Sequence, residues 1–172
     1  MCIRDSLRSE RNQGRAPDMG WLDHGGLGFN YRLSDLAAAL GVAQAERLDD
    51  LLGRRAAVAS LYEQGLSQID AVTTPLAERG AERRSWFVYV VRLADDVDRD
   101  AVIAALAERG IAAKAYLPCI HLFPHLRELG YREGQFPVAE AAAAHSLALP
   151  FFPAMTESQV ARVCEALARS LT

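Results

Sequence analysis

Residues 85–117 read SWFVYVVRLADDVDRDAVIAALAERGIAAKAYL, and the periodicity changes twice within them. Ser85 to Leu93 is dense in aromatic and β-branched residues, which predicts a buried strand. Asp98 to Arg109 places apolar and charged residues at helical spacing and stops at Gly110, a residue that ends helices by taking a left-handed conformation. Ile111 to Leu117 returns to strand character and ends at Pro118. A strand, a helix and a strand joined by short connections make an α/β unit, and the fold class follows from it.

Toward the C-terminus, Pro137 to His145 predicts a helix opened by proline. Residues 147–152, LALPFF, then predict an extended segment. Thr156 is placed to cap a last helix with Val160, Val163, Leu167 and Leu171 on one face. Toward the N-terminus, Val72 to Pro75 predicts a short strand. Ser34 is a candidate helix N-cap, with Asp35 in the first turn where the helix dipole favours a carboxylate. Leu36, Leu40, Ala43, Leu48, Leu51 and Leu52 then recur at mainly three- and four-residue spacing, and the pattern runs on through Val58, Leu61 and Tyr62 to Leu66. Asp50 and Arg54 are spaced to pair across one turn of the wet face. The whole predicts one nearly continuous helix over 34–66, longer than most globular helices and suited to linking two domains. Residues 7–29, rich in Gly, Asp, Arg and Asn, predict loop. The opening MCIRDS shares no periodicity with the residues after it and is set apart as a non-native leader over 1–6.

Composition limits the function classes. Half of the 172 residues are hydrophobic (51%), 24% are charged, and the formal net charge is −3. That is the balance of a globular protein. The arginines are interleaved with acids, as in Glu108-Arg109, and no basic run with aromatics points to nucleic acid. No apolar stretch is long enough to span a bilayer, so a cytoplasmic location without membrane contact is expected. Cys2, Cys119 and Cys164 are too widely spaced for a zinc site and odd in number, which favours neither metal nor a disulfide framework. Lys114 is the single lysine. A mechanism requiring an amine nucleophile must use it or do without.

Three constellations bear on chemistry. In GFNYR, 28–32, extended spacing puts the Asn30 amide and the Arg32 guanidinium on one side just before a helix start, an arrangement suited to phosphate oxygens. The alternative is a turn in which Asn30 satisfies backbone groups. In YLPCIH, 116–121, Tyr116 and His121 flank a proline at a strand end, where α/β sheets commonly place ligands. The alternative is a packed or capping histidine. Cys119, with His121 or His125 as base, is a weaker thiol-nucleophile alternative. The third, GYREGQFPVAE at 130–140 followed by SLALPFFP, carries no chemistry of its own.

Taken together, GFNYRLSDLAAALGVAQAERLDDL, RSWFVYVVRL, GIAAKAYLPCIHLFP and GYREGQFPVAEAAAAHSLALPFFPAMTESQV resemble, in order and spacing, the DegT/StrS family of pyridoxal-phosphate-dependent sugar aminotransferases. The resemblance runs over nearly all of 7–172. It implies a fold-type I aminotransferase, represented by the end of its large domain with a long linking helix (7–66) and its small C-terminal α/β domain (67–172). The implied cofactor is pyridoxal 5'-phosphate, the implied substrates a nucleotide-linked keto-sugar and an amino donor such as glutamate, and the implied assembly a homodimer with shared active sites. On the matching positions, Asn30 reaches the cofactor phosphate of the other subunit, Arg32 lies near substrate phosphates or the cofactor edge, and Tyr116 and His121 line the sugar-nucleotide pocket.

The sequence also departs from the family's pattern. The Schiff-base lysine, the aromatic residue that stacks on the pyridine ring and the aspartate that holds its nitrogen belong upstream of the segment matched by LRSERNQGR, 7–15. The resemblance gives Lys114 a packing position near the pocket edge. Phe123 stands where the family has glutamine. The chain is therefore expected to be inactive alone, with no catalytic residue of its own. Two other readings stay open: a lysine-free sugar dehydratase or regulatory relative, and a non-catalytic dimerising α/β module.

Overall fold

The computed structural model describes residues 3–15, 24–80 and 82–171. Cys2 and the first part of the glycine-rich stretch, within 16–23, lie outside the described residues. The chain divides into two compact units, 1–48 and 49–172. The division falls inside the span expected to be one linking helix rather than after residue 66.

The first unit holds helices α1 (Ile3–Glu10) and α2 (Asp35–Glu46). Helix α1 begins within the residues set apart as a leader and occupies 7–10, which the sequence predicts as loop. Ile3 and Leu7 stand one turn apart in it, and none of its side chains is buried. Ser34 caps α2 as expected, its hydroxyl accepting from the Ala37 N–H at 3.3 Å. Helix α2 also buries nothing, and Leu36, Leu40 and Val42 are all exposed.

The expected continuous helix is interrupted at a single residue. Arg47 leaves helical geometry (φ −99°, ψ 4°), and its N–H turns back to the Gln44 and Ala45 carbonyls. Helix α3 (Leu48–Leu66) follows at once. Apolar spacing carries across such a break because one displaced residue costs the pattern little, so periodicity alone does not reveal it. The Asp50–Arg54 pair forms on α3 at 3.0 Å.

The second unit is mixed helix and sheet. Its strands are β1 (Val72–Thr73), β2 (Tyr89–Leu93), β3 (Lys114–Ala115) and β4 (Ser146–Leu149), and its longer helices are α3, α4 (Arg99–Glu108), α6 (Pro137–His145) and α7 (Glu157–Ser170), with a short α5 (Pro124–Arg127). The sheet order is β1-β2-β4-β3 and every neighbouring pair is antiparallel. The strand-helix-strand unit read from 85–117 is thus a split one: β2 and β3 run the same way with β4 inserted between them. Alternation along β2 puts Tyr89, Val91 and Leu93 in the core and leaves Arg92 exposed. Opposite them, Leu149 pairs with Tyr89 and Leu147 with Val91.

Strands β1, β2 and β3 are shorter than expected, the last two for local reasons. Trp86 has a φ of +48°, outside the extended region, so the ladder does not begin before Tyr89. Its ring lies against Tyr89 at 5.6 Å, beneath the Arg84 guanidinium at 4.7 Å. Strand β3 ends at Ala115 because its sole partner, β4, starts at Ser146 directly after α6.

The remaining elements follow the sequence closely. Asp98 caps α4 through its carboxylate, which accepts from the Asp100 and Ala101 N–H groups at 2.9 and 3.1 Å, and Gly110 ends the helix with φ +71°. Thr156 and Gln159 form a capping box at the start of α7. Helix α7 packs against α4 and buries Val160, Val163, Cys164, Ala166 and Leu167. On α3, Tyr62 is fully buried, stacks on Tyr89 at 4.8 Å, and donates its hydroxyl hydrogen to the Pro150 carbonyl at 2.6 Å. Gly65 on the same helix admits Cys164, since a β-carbon there would stand 2.8 Å from the Cys164 sulfur.

Burial pushes the Cys164 thiol up to about 11. A thiol reacts as its thiolate. At pH 8 Cys164 should therefore resist a disulfide reagent such as Ellman's in the folded chain while Cys119 is modified, as peptide mapping would show. Stoichiometric labelling of Cys164 without loss of structure would contradict its placement.

Candidate functional site

In the second unit the chain between β3 and α5, the loop after α5 and one face of α6 line an open cavity of about 580 Å³. Tyr116, His121, Leu126, Tyr131, Phe136 and Ala139 are among its lining residues. Tyr116 and His121, singled out from sequence, are thus brought to one cavity. Tyr116 arrives there because β3 ends beside it. His121 arrives through a single 3-10 turn at Ile120–Leu122. The alanines of α6, Ala139, Ala142 and Ala143, leave the room that larger side chains would fill.

His121 is held firmly. Its Nε2 is 2.9 Å from Oε1 of Glu140, and the two side chains are 10% and 18% exposed. The Phe136 ring meets the imidazole edge-on at 4.8 Å. Glu140 in turn accepts from the Gly134 N–H with both oxygens, at 3.0 and 2.8 Å, and from the Phe136 N–H at 3.1 Å. These backbone donors, Gly134 first and Phe136 second, hold the Glu140 carboxyl below its usual range, and His121 adds to the effect.

The GYREGQFPVAE segment, to which the sequence assigns no chemistry of its own, reaches the cavity. It supplies Tyr131 and Phe136 to the cavity wall and Glu140 to His121. One signal was available: a glutamate four residues after Phe136, inside the first turns of a proline-opened helix, is placed to accept from the N–H groups that the helix start leaves over. That it also meets His121, 19 residues earlier, is a tertiary fact with no trace in spacing.

In the first unit, GFNYR lies extended against 10–13. The Phe29 N–H donates to the Glu10 carbonyl, the Tyr31 N–H to the Arg11 carbonyl, and Asn30 forms an antiparallel bridge with Asn12. The backbone of this segment is thus satisfied by its neighbour. The Asn30 side chain makes no hydrogen bond among the described residues, so it does not serve as the turn's own backbone cap. Arg32 donates to Oδ1 of Asn12 at 2.8 Å and lines a second cavity, of about 1080 Å³, shared with Arg4, Arg8, Arg11 and Arg15. The structure brings Arg32 into a cavity with these arginines and Asp5, and Asn30 is not among its lining residues.

Lys114 is exposed on β3, the edge strand, and is not among the cavity residues. A lysine on a sheet edge protects it from pairing with other strands. Cys119 lies with its sulfur 3.7 Å from the Ala139 carbonyl, while the His121 Nε2 is turned to Glu140. That removes His121 Nε2 as a base for the thiol. Phe123 approaches His125 at 6.0 Å and is absent from the cavity wall. Among the described residues no group of three His, Cys, Asp or Glu could hold a metal ion, and no helix is long and apolar enough to cross a membrane.

Asn30 carries an amide group of the kind that can donate to a phosphate, and no lysine is among the residues lining the cavity at His121. The mixed helix-and-sheet fold is that of fold-type I aminotransferases. DesV of S. venezuelae superposes with a TM-score of 0.83 at 30% identity, over 96% of this chain and 43% of its own. The DegT/DnrJ/EryC1/StrS aminotransferase family model matches residues 3–168. The GDP-perosamine synthase of Caulobacter vibrioides is 35% identical over 166 residues, 94% of this chain and 43% of its own length. A pleiotropic regulatory protein of Geobacillus stearothermophilus is 37% identical over 148 residues, 84% of this chain and 39% of its own. The chain belongs to the DegT/DnrJ/EryC1/StrS aminotransferase family, whose members use pyridoxal phosphate. It spans about two-fifths of the length of the curated relatives it matches.

Proposed function

We propose that this chain is the C-terminal portion of a cytoplasmic, homodimeric aminotransferase that passes an amino group from a donor such as glutamate to a nucleotide-linked keto-sugar. The observation that carries the reading is the meeting of Tyr116, His121 and two further aromatic rings on one cavity of about 580 Å³. That volume is of the size that takes a small organic ligand. Rings and a polar histidine together suit a sugar, which presents apolar C–H faces as well as hydroxyl edges.

Pyridoxal phosphate, when bound by the whole enzyme, supplies an electron sink for amino transfer. This chain's own part is binding and orientation. Asn30 donates its amide to the phosphate across the dimer interface, and Arg32 brings charge-assisted donors to an anionic group nearby. Tyr116, Tyr131 and Phe136 wall the substrate cavity, while His121 meets a polar group of the sugar. The kinship with a pleiotropic regulatory protein supports a second reading, a regulatory relative.

The sole lysine stands exposed on a sheet edge and outside the cavity. The 172-residue chain, mixed with pyridoxal phosphate and treated with borohydride, should therefore give no stoichiometric adduct on Lys114 and no amino transfer. Joined to the upstream coding sequence, it should transaminate a nucleotide keto-sugar. Amino transfer by the isolated chain, or none by the joined protein, would overturn the assignment.

A further inference from the structure

The loop at 131–136, helix α6 and the turn before α5 converge on one pair of side chains, His121 and Glu140. We infer that Glu140 is a positioning residue that fixes the tautomer of His121, so that the ring offers Nδ1 as an acceptor to a hydroxyl-bearing ligand in the cavity.

The geometry decides where the shared hydrogen sits. Glu140 is clamped by the Gly134 and Phe136 N–H groups, and a carboxylate surrounded by such donors stays ionised. An ionised carboxylate only accepts. The hydrogen between it and His121 therefore belongs to Nε2, which donates at 2.9 Å. In the neutral ring Nδ1 then carries the lone pair. No hydrogen bond to Nδ1 exists among the described residues, and this atom is not one of the side-chain nitrogens sealed away from solvent. The edge contact with Phe136 and the low exposure of the ring resist a flip that would exchange the two nitrogens.

A lone pair selects its partner. Nδ1 accepts a hydroxyl hydrogen and repels a phosphate oxygen, so the sugar's hydroxyl edge belongs at His121 and the diphosphate elsewhere. The identity of that ligand rests on the function proposed above. The tautomer does not.

Long-range proton–nitrogen NMR correlations of the imidazole rings in the nitrogen-15-labelled 172-residue chain read the tautomer directly. The expected result is that His121 carries its hydrogen on Nε2 with a bias of at least about tenfold, as a hydrogen bond to a charged acceptor supports. Glu140→Ala should collapse that bias toward exchange between the two forms. Glu140→Gln, which keeps a carbonyl oxygen for the backbone donors and for Nε2–H, should restore most of it. A residue that merely capped the turn would alter the Gly134 and Phe136 amides and leave the His121 nitrogens unmoved. A proton on Nδ1 or free exchange in the unsubstituted chain overturns the inference, as does an unchanged Nε2 signal in a folded Glu140→Ala chain. If instead the tautomer is fixed but His121→Ala leaves the whole enzyme's handling of its sugar unaltered, the proposed site fails and the positioning role stands.

Discussion

Leu147→Ala should lower the stability of the second unit by about 3 to 4 kcal/mol, the range of large-to-small changes at fully buried leucines. Leu147 has no exposed surface and lies on β4, the strand that joins β2 on one side and β3 on the other. It pairs with Val91 and with Ala115, so its loss opens a cavity at the middle of the sheet, where neighbours on both sides hold their positions. Such a loss is a large fraction of a typical domain's stability. Urea unfolding followed by near-ultraviolet circular dichroism, which reports the packed rings of Tyr62, Trp86 and Tyr89, measures it. Leu36→Ala on α2 is the contrast. That side chain is 85% exposed, so its truncation should move stability by no more than about 0.5 kcal/mol. Equal losses at the two sites would contradict the division into a packed second unit and a first unit whose apolar helix is uncovered.

The second large effect is expected in the restored full-length protein, at Asn30. Its amide makes no hydrogen bond among the described residues, while the backbone around it is paired with residues 10–13. Asn30→Ala should therefore leave the fold intact and weaken cofactor retention by about 1.5 to 3 kcal/mol, the worth of a hydrogen bond to a charged group. Arg32→Ala should act more on substrate than on cofactor. It also releases Asn12, to which Arg32 donates at 2.8 Å. If the Asn30 amide serves the other subunit's cofactor, mixing Asn30→Ala subunits with subunits lacking the Schiff-base lysine regenerates one good site per mixed dimer. Mixed dimers with no recovered activity, formed from parents that both dimerise, would place Asn30 in its own subunit's structure and outside the shared site.

Legibility in the sequence tracks the range of the forces involved. Helix starts and stops at Ser34, Asp98, Gly110, Pro137 and Thr156 were readable because caps and breakers act within one turn. The alternation of Tyr89, Val91 and Leu93 was readable because a half-buried strand imposes it. The order of the sheet was not, because inserting β4 between β2 and β3 depends on pairings between β2 and β4 more than fifty residues apart along the chain. The break at Arg47 was hidden for the opposite reason: one displaced residue barely disturbs an apolar repeat. At the site, Tyr116 and His121 stood out as chemically able residues beside a proline. Glu140 did not, since its partner is set by the fold and its own neighbourhood reads as a helix start. The resemblance named Asn30. Spacing alone left it between a phosphate ligand and a turn residue.

The central claim is that the cavity around His121 receives the sugar of a nucleotide-linked substrate, and steady-state kinetics of His121→Ala in the restored full-length enzyme test it most directly. The prediction is a KM for the keto-sugar nucleotide raised about tenfold, the worth of one lost hydrogen bond of about 1 to 1.5 kcal/mol, with the KM for the amino donor within about twofold of its starting value. An unchanged keto-sugar KM, or equal changes for both substrates, would contradict the placement of the sugar in this cavity.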